Sequence, residues 1–216
     1  MLKRSPGALA SLFLLLWVVT DATAGALAVS AQQRNSRPLA GAVITVESAA
    51  VNATPAPPVA AKMDQQDLTF VPDVLVVPVR STVQFPNSDA ISHQVYSFSN
   101  TKAFQLPLYR GKPYPPVLFD KPGVVTLGCN IHDNMLAYIV VTNAPWFGRT
   151  DADGRWTAAN LPAGRYTIRL WHPLLNEGQD VTREINIDAT DAALEIKLAK
   201  PLRPAPITGR PHSWDY

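Results

Sequence analysis

The chain is expected to be all-β and built from β-sandwiches, on three observations. Twenty prolines are spread through its 216 residues, and proline breaks helix interiors. No segment holds apolar residues at a helical period over several turns. Instead, short runs rich in Val, Ile and Thr alternate apolar with polar positions. They are separated by Pro, Gly, Asn and Asp, the pattern of half-buried strands joined by tight turns. The formal net charge is +2, too small to give the basic footprint of a nucleic-acid-binding protein.

The N-terminus has the layout of a secretory signal peptide. Lys3 and Arg4 precede an apolar run from about Ala8 to Val19, and small residues follow at Ala22, Ala24, Ala26 and Ala28. The run is short for a membrane span. Cleavage after Ala24 fits the small-x-small rule, with Ala28 as the next choice; an uncleaved N-terminal anchor is the other reading. No later segment is apolar for long enough to span a bilayer. The mature chain of about 190 residues is expected to be exported and soluble, with room for one large or two small domains.

Along the mature chain, residues 26–48 read as two strands around a turn, and 49–61 as an Ala/Pro-rich linker. Asn52-Ala53-Thr54 matches a glycosylation sequon, which a bacterial-looking leader makes a chance match. Residues 68–79 read as a strand that Pro72 and Pro78 confine to an edge or to bulges. Strands follow at 81–89 and 92–99, then a looser stretch at 100–116. Residues 117–129 give two strands around Lys121-Pro122-Gly123, and 135–141 a closing strand. Beyond Pro145, strands are expected at 155–158, 165–172, 181–188 and 193–199, with turns at 151–154 and 161–164. The tail, 201–216, is Pro-rich.

Cys129 is the only cysteine. Exported proteins usually pair their cysteines, so a lone thiol needs another account: burial, an intermolecular disulfide, a nucleophile or a metal ligand. The stretch GCNIHDNM, residues 128–135, places His132 three residues after Cys129 and Met135 three after that. Gly128 and Cys129 end one expected strand and Met135 begins the next. A thiolate, an imidazole and a thioether on one short loop form a soft donor set that favours copper. His93, at the start of HQVYSF, is the candidate for a second imidazole. Met63 is expected in the core, His172 at a strand end, and His212 lies in the tail.

The region from about Leu68 to Val141 resembles the cupredoxins, the type 1 (blue) copper family. TFVPDVLVVPVRSTVQFPNSD resembles the family's opening strand pair, SHQVYSF its first ligand motif, and FDKPGVVTLGCNIHDNMLAYIVV its closing Cys-x-x-His-x-x-Met motif with amicyanin spacing. The resemblance implies a Greek-key cupredoxin β-sandwich holding one copper, with His93, Cys129 and His132 as equatorial ligands and Met135 as the weak axial ligand. Gln94 stands where the family usually has asparagine, which leaves the hydrogen bonding behind the ligands open.

The flanks have a resemblance of their own. SRPLAGAVITVES and FGRTDADGRWTAANLPAGRYTIRLWHP are similar to the two halves of a carboxypeptidase regulatory-like (transthyretin-like) sandwich. The implied organisation is a signal peptide at 1–24, a first half of that sandwich plus linker at 25–57, the copper domain at 58–142, the second half at 143–200 and a tail at 201–216. The alternative makes 26–48 extra cupredoxin strands and 146–200 a separate domain. Together the segments resemble bacterial exported proteins labelled methylamine utilization protein-like, a label that records similarity only.

Three functions remain open: a periplasmic electron carrier serving an exported redox partner, a copper-binding protein for homeostasis or delivery, and an exported binding module. An enzyme is not expected. Four histidines without a His-x-His pair fall short of a multicopper oxidase, and no phosphate-binding loop, hydrolase triad or zinc-protease motif is present.

Overall fold

Strands form where the sequence alternates. In the first of them Leu27, Val29 and Ala31 are buried and the residues between them are not. The computed structural model describes residues 24–49, 54–132, 134–176, 180–188 and 190–206. The leader, most of the sequon, and the end of the tail with His212 lie outside the described residues. The described residues contain no helix.

The strands in chain order begin with β1 (Ala24–Gln32) and β2 (Val43–Glu47). Ten follow close together: β3 (Ala60–Lys62), β4 (Asp64–Gln66), β5 (Thr69–Val71), β6 (Val74–Pro78), β7 (Ser81–Gln84), β8 (His93–Ser99), β9 (Lys102–Tyr109), β10 (Val117–Phe119), β11 (Gly123–Gly128) and β12 (Leu136–Thr142). The last five are β13 (Trp146–Arg149), β14 (Arg155–Pro162), β15 (Gly164–Trp171), β16 (Val181–Ile187) and β17 (Ala192–Lys197).

These strands make two sandwiches. The outer one has sheets of order β14-β1-β17 and β13-β2-β15-β16. Its core joins Leu27 and Val29 of β1 to Ile44 and Val46 of β2, Tyr166, Ile168 and Leu170 of β15, and Ile196 of β17. β1 and β2 were expected around one turn, but they belong to different sheets. Each takes its sheet neighbours from strands after residue 145: β1 from β14 and β17, β2 from β13 and β15. The chain leaves this sandwich after β2 and returns at β13, where Val46 and Trp146 are cross-strand partners.

The inner sandwich uses β3 to β12. A five-stranded sheet of order β6-β12-β11-β8-β9 shares one core with a three-stranded sheet of order β10-β7-β3. Val83 and Phe119 of the smaller sheet meet Val77, Val95, Val125, Leu127 and Ile139 of the larger. Met63 is fully buried in this core.

Three elements differ from the sequence reading, each for a physical reason. Residues 68–79 are not one strand: Pro72 interrupts them, and β5 pairs with β4 while β6 pairs with β12. The stretch 100–116 was read as loose, yet β9 fills half of it. β9 is an edge strand, where Pro107 can lack an N–H without breaking a ladder. The end of the expected linker, Ala60 and Ala61, enters the small sheet parallel to β7.

The sandwiches meet through Val43 and Trp171 of the outer one and Val74, Val140 and Tyr138 of the inner one. The Tyr138 and Trp171 rings lie edge to face at 5.5 Å. Arg149 donates from its guanidinium to the Val74 carbonyl at 2.9 Å and pairs with Asp73 at 3.3 Å.

A polar knot secures the start of the inner sandwich. Asp64 accepts hydrogen bonds from the Gln65 amide at 2.8 Å, Ser88 Oγ at 2.9 Å and Gln66 Nε2 at 3.0 Å. Burial works to raise its pKa. The bonds from Gln66, Ser88 and Gln65, with Lys62 nearby, outweigh burial and hold it below the ordinary 3.8.

Two outcomes are expected. Because Val46 and Trp146 are already neighbours, replacing residues 48–145 by a short hairpin turn leaves a chain that folds, with a cooperative thermal transition; a chain without one would overturn the nested pairing as a self-sufficient unit. Because Asp64 is depressed in the folded state, its stabilisation is complete above the unfolded pKa, starts to be lost near pH 4 and disappears as pH falls through the folded value. Asp64→Asn flattens that part of the pH–stability curve, measured by denaturant unfolding between about pH 2 and pH 6.

Candidate metal centre

The site is a product of sheet order. β8 and β11 are antiparallel neighbours, and Gly128 is paired with Tyr96. The beginning of β8 therefore lies beside the end of β11, which brings His93 against Cys129 although 36 residues separate them. The loop from β11 to β12 then turns back at once. The Met135 amide donates to the His132 carbonyl at 3.0 Å, closing a tight turn that keeps His132 beside Cys129.

Glycine at 128 makes room for the Tyr96 ring. A Cβ there would stand 2.8 Å from the Tyr96 hydroxyl oxygen and 2.9 Å from its ring carbon. Tyr96 lies over this position and, with Gly128, Cys129 and Met135, lines a cavity at the surface.

Three donor atoms converge. His93 Nδ1 is 3.1 Å from His132 Nδ1, and Cys129 Sγ is 3.9 Å from the first and 3.8 Å from the second. A point in the plane of these atoms is about 2 Å from all three, the length of a metal–imidazole bond and close to that of a metal–thiolate bond. The donor set thus fits a single metal ion without rearrangement. Among the described residues, His93, Cys129 and His132 form the one group of this kind. Met135 is buried in the same apolar cluster as Cys129 and borders the same cavity. His172 takes no part; its Nδ1 accepts a hydrogen bond from the Leu174 amide.

The surroundings suit metal ligation. His93 is wholly buried, Cys129 and Met135 nearly so, and His132 is half-buried. Burial pushes the His132 pKa down, His93 adds to this, and Asp89 opposes it. The net effect favours neutral imidazole, the form that ligates. Below the site, Tyr109 donates to the Phe85 carbonyl and accepts from Gln65 Nε2; burial pushes its pKa up to about 12.

Sequence reasoning missed the hydrogen bond behind His93. Its Nε2 lies 2.7 Å from Asp89 Oδ2. Burial works to raise the Asp89 pKa, but bonds from Leu68, His93 and Asp67 hold it below the ordinary range. No periodicity marks a residue four places before a ligand in a loop. The usable signal was a lone carboxylate inside the turn PNSDAIS.

Neither protein-family models nor curated proteins match this chain. Solved structures do. A purple cupredoxin from Nitrosopumilus maritimus is 23% identical, over 38% of this chain and 99% of that one, with a TM-score of 0.35. A copper-containing nitrite reductase from Thermus scotoductus SA-01 is 28% identical, over 44% of this chain and 25% of that one, at 0.37. A reduced amicyanin variant is 23% identical, over 38% of this chain and 82% of that one, at 0.35.

Gly128→Ala is expected to displace Tyr96 and loosen the β8–β11 pair beside Cys129, at a cost of about 1–3 kcal/mol. Denaturant unfolding measures it; an unchanged midpoint would show that Tyr96 yields freely.

Proposed function

We propose that this chain is a periplasmic type 1 copper protein that carries single electrons. His93, Cys129 and His132 are its strong ligands and Met135 its weak axial donor. The observation that carries this reading is the convergence of two imidazole nitrogens and one sulfur on a point about 2 Å from each. Copper, when bound, supplies a one-electron couple, and a trigonal His2Cys set with a distant thioether suits both of its oxidation states.

The protein's part is to hold the donors still. His93 is set by the start of a strand and Cys129 by the end of its neighbour, so neither has room to rearrange. Cys129 ligates as thiolate, and ligation accounts for an unpaired thiol in an exported chain. The apolar packing around Cys129 and Met135 excludes water and tunes the potential. His132 is the ligand with an edge toward solvent, beside the exposed Ile131, and an exported redox partner would dock there. No catalytic residue is assigned. The copper unit, residues 58–142, sits between the two halves of a sandwich that resembles the carboxypeptidase regulatory-like fold, which serves here as its holder.

Purification from an exporting host, copper loading, and visible and EPR spectra test the reading. A blue protein with one copper per chain and a reversible couple is expected. Cys129→Ser abolishes the colour. His132→Gly weakens copper binding, and exogenous imidazole restores it. A loaded wild type that is colourless and redox-silent ends the carrier reading, and rapid copper loss to a chelator points instead to delivery.

A further inference from the structure

We propose that Asp89 is the positioning residue for His93: its carboxylate holds the Nε2–H and leaves Nδ1 free to bind the metal. The metal half of this statement rests on the copper reading above; the histidine half does not.

The two nitrogens of His93 have separate partners. Nε2 meets Asp89 Oδ2 at 2.7 Å, while Nδ1 faces His132 Nδ1 at 3.1 Å and Cys129 Sγ at 3.9 Å. An ionised carboxylate only accepts hydrogen bonds. A neutral His93 must therefore carry its proton on Nε2, and its lone pair points to where the three donors converge. Such an acceptor also fixes the ring plane and raises the basicity of the ligating nitrogen.

Asp89 is itself held from the far side. Its Oδ1 accepts the Asp67 amide at 2.7 Å and its Oδ2 the Leu68 amide at 3.1 Å. Its own amide donates to Asn87 Oδ1 at 3.0 Å. Asp67 and Leu68 form the turn between β4 and β5, and both have positive φ, 50° and 59°. That is the hand a two-residue hairpin turn needs, but it is a costly conformation for leucine. The turn aims two successive amides at one carboxylate. The backbone ties the β4–β5 hairpin to the same loop further back, where Gln65 bridges Asn87; Asp89 is the residue that carries the connection on from the hairpin turn to the His93 ring.

Nitrogen-15 NMR of the metal-free protein tests the histidine half directly. Wild-type His93 is expected as the Nε2–H form; a proton on Nδ1 overturns the proposal whatever the variants do. Asp89→Ala should lose the tautomer preference and weaken copper binding by about 10–100-fold in chelator competition. Asp89→Asn keeps an acceptor oxygen and should recover most of the affinity. Thr69→Ala is the control for a merely structural role, because it removes a hydrogen bond within the same hairpin, to the Gln66 carbonyl, without touching His93. If Asp89→Ala leaves both readouts unchanged, or Thr69→Ala moves both equally, Asp89 is a loop pin and the proposal fails. A wild type that takes up no copper but loses its His93 tautomer on Asp89→Ala would sink the copper reading and leave the positioning role standing.

Discussion

The antiparallel contact between β8 and β11 is the constraint on which the site depends. One cross-strand pair, Gly128 with Tyr96, sets the level at which the start of one strand meets the end of the other. A slip of one residue would turn alternate side chains to the opposite face and carry His93 away from Cys129. The register is protected from both sides. Val95 and Leu127 are fully buried in the shared core, and the missing side chain at Gly128 admits the Tyr96 ring. Hydrophobic burial thus does for the donors what a covalent bridge does elsewhere: it fixes a distance between residues far apart in the chain.

Much of this was legible in the sequence because short-range patterns carried it. Alternation located most strands. The spacing from Cys129 through His132 to Met135 marked the candidate donor loop, of which the structure brings Cys129 and His132 together with His93. His93 was a candidate from its place at a strand start, and family resemblance strengthened it, as nothing local distinguishes a strand-start histidine that ligates from one that does not. The structure brings it to Cys129 and His132, while for Met135 it gives burial beside Cys129. Long-range choices were not legible. Which sheet β1 and β2 join, the split at Pro72, and the strand hidden around Pro107 are decided by neighbours distant in the chain. Asp89 stood out only as a lone carboxylate in a turn: its meaning lies in two amides from residues 67 and 68, more than twenty positions away.

Rigidity here is unevenly distributed. The buried donors His93 and Cys129 lie at strand ends against an apolar core, whereas His132 sits on a loop with one side open. Polar anchors concentrate on the His93 side, where Asp64, Asn87 and Asp89 tie loop to hairpin. Apolar packing dominates around Cys129 and Met135. A metal held in this way would meet a stiff floor, a hydrophobic wall and one accessible edge, an arrangement that separates holding an ion from communicating through it.

The cross-strand meeting of Val46 and Trp146 also bears on the order in which the chain folds. β1 and β2 are made early, but their sheet partners arrive after the whole inner sandwich. Closing an unfolded loop of that length carries an entropic cost that grows with the logarithm of its length. Once the inner sandwich has folded, its two ends stand together and the long loop becomes, in effect, a hairpin turn. Formation of the inner core therefore lowers the barrier to zipping the outer sheets, and whatever stabilises the former early, a bound ion included, speeds completion of the latter.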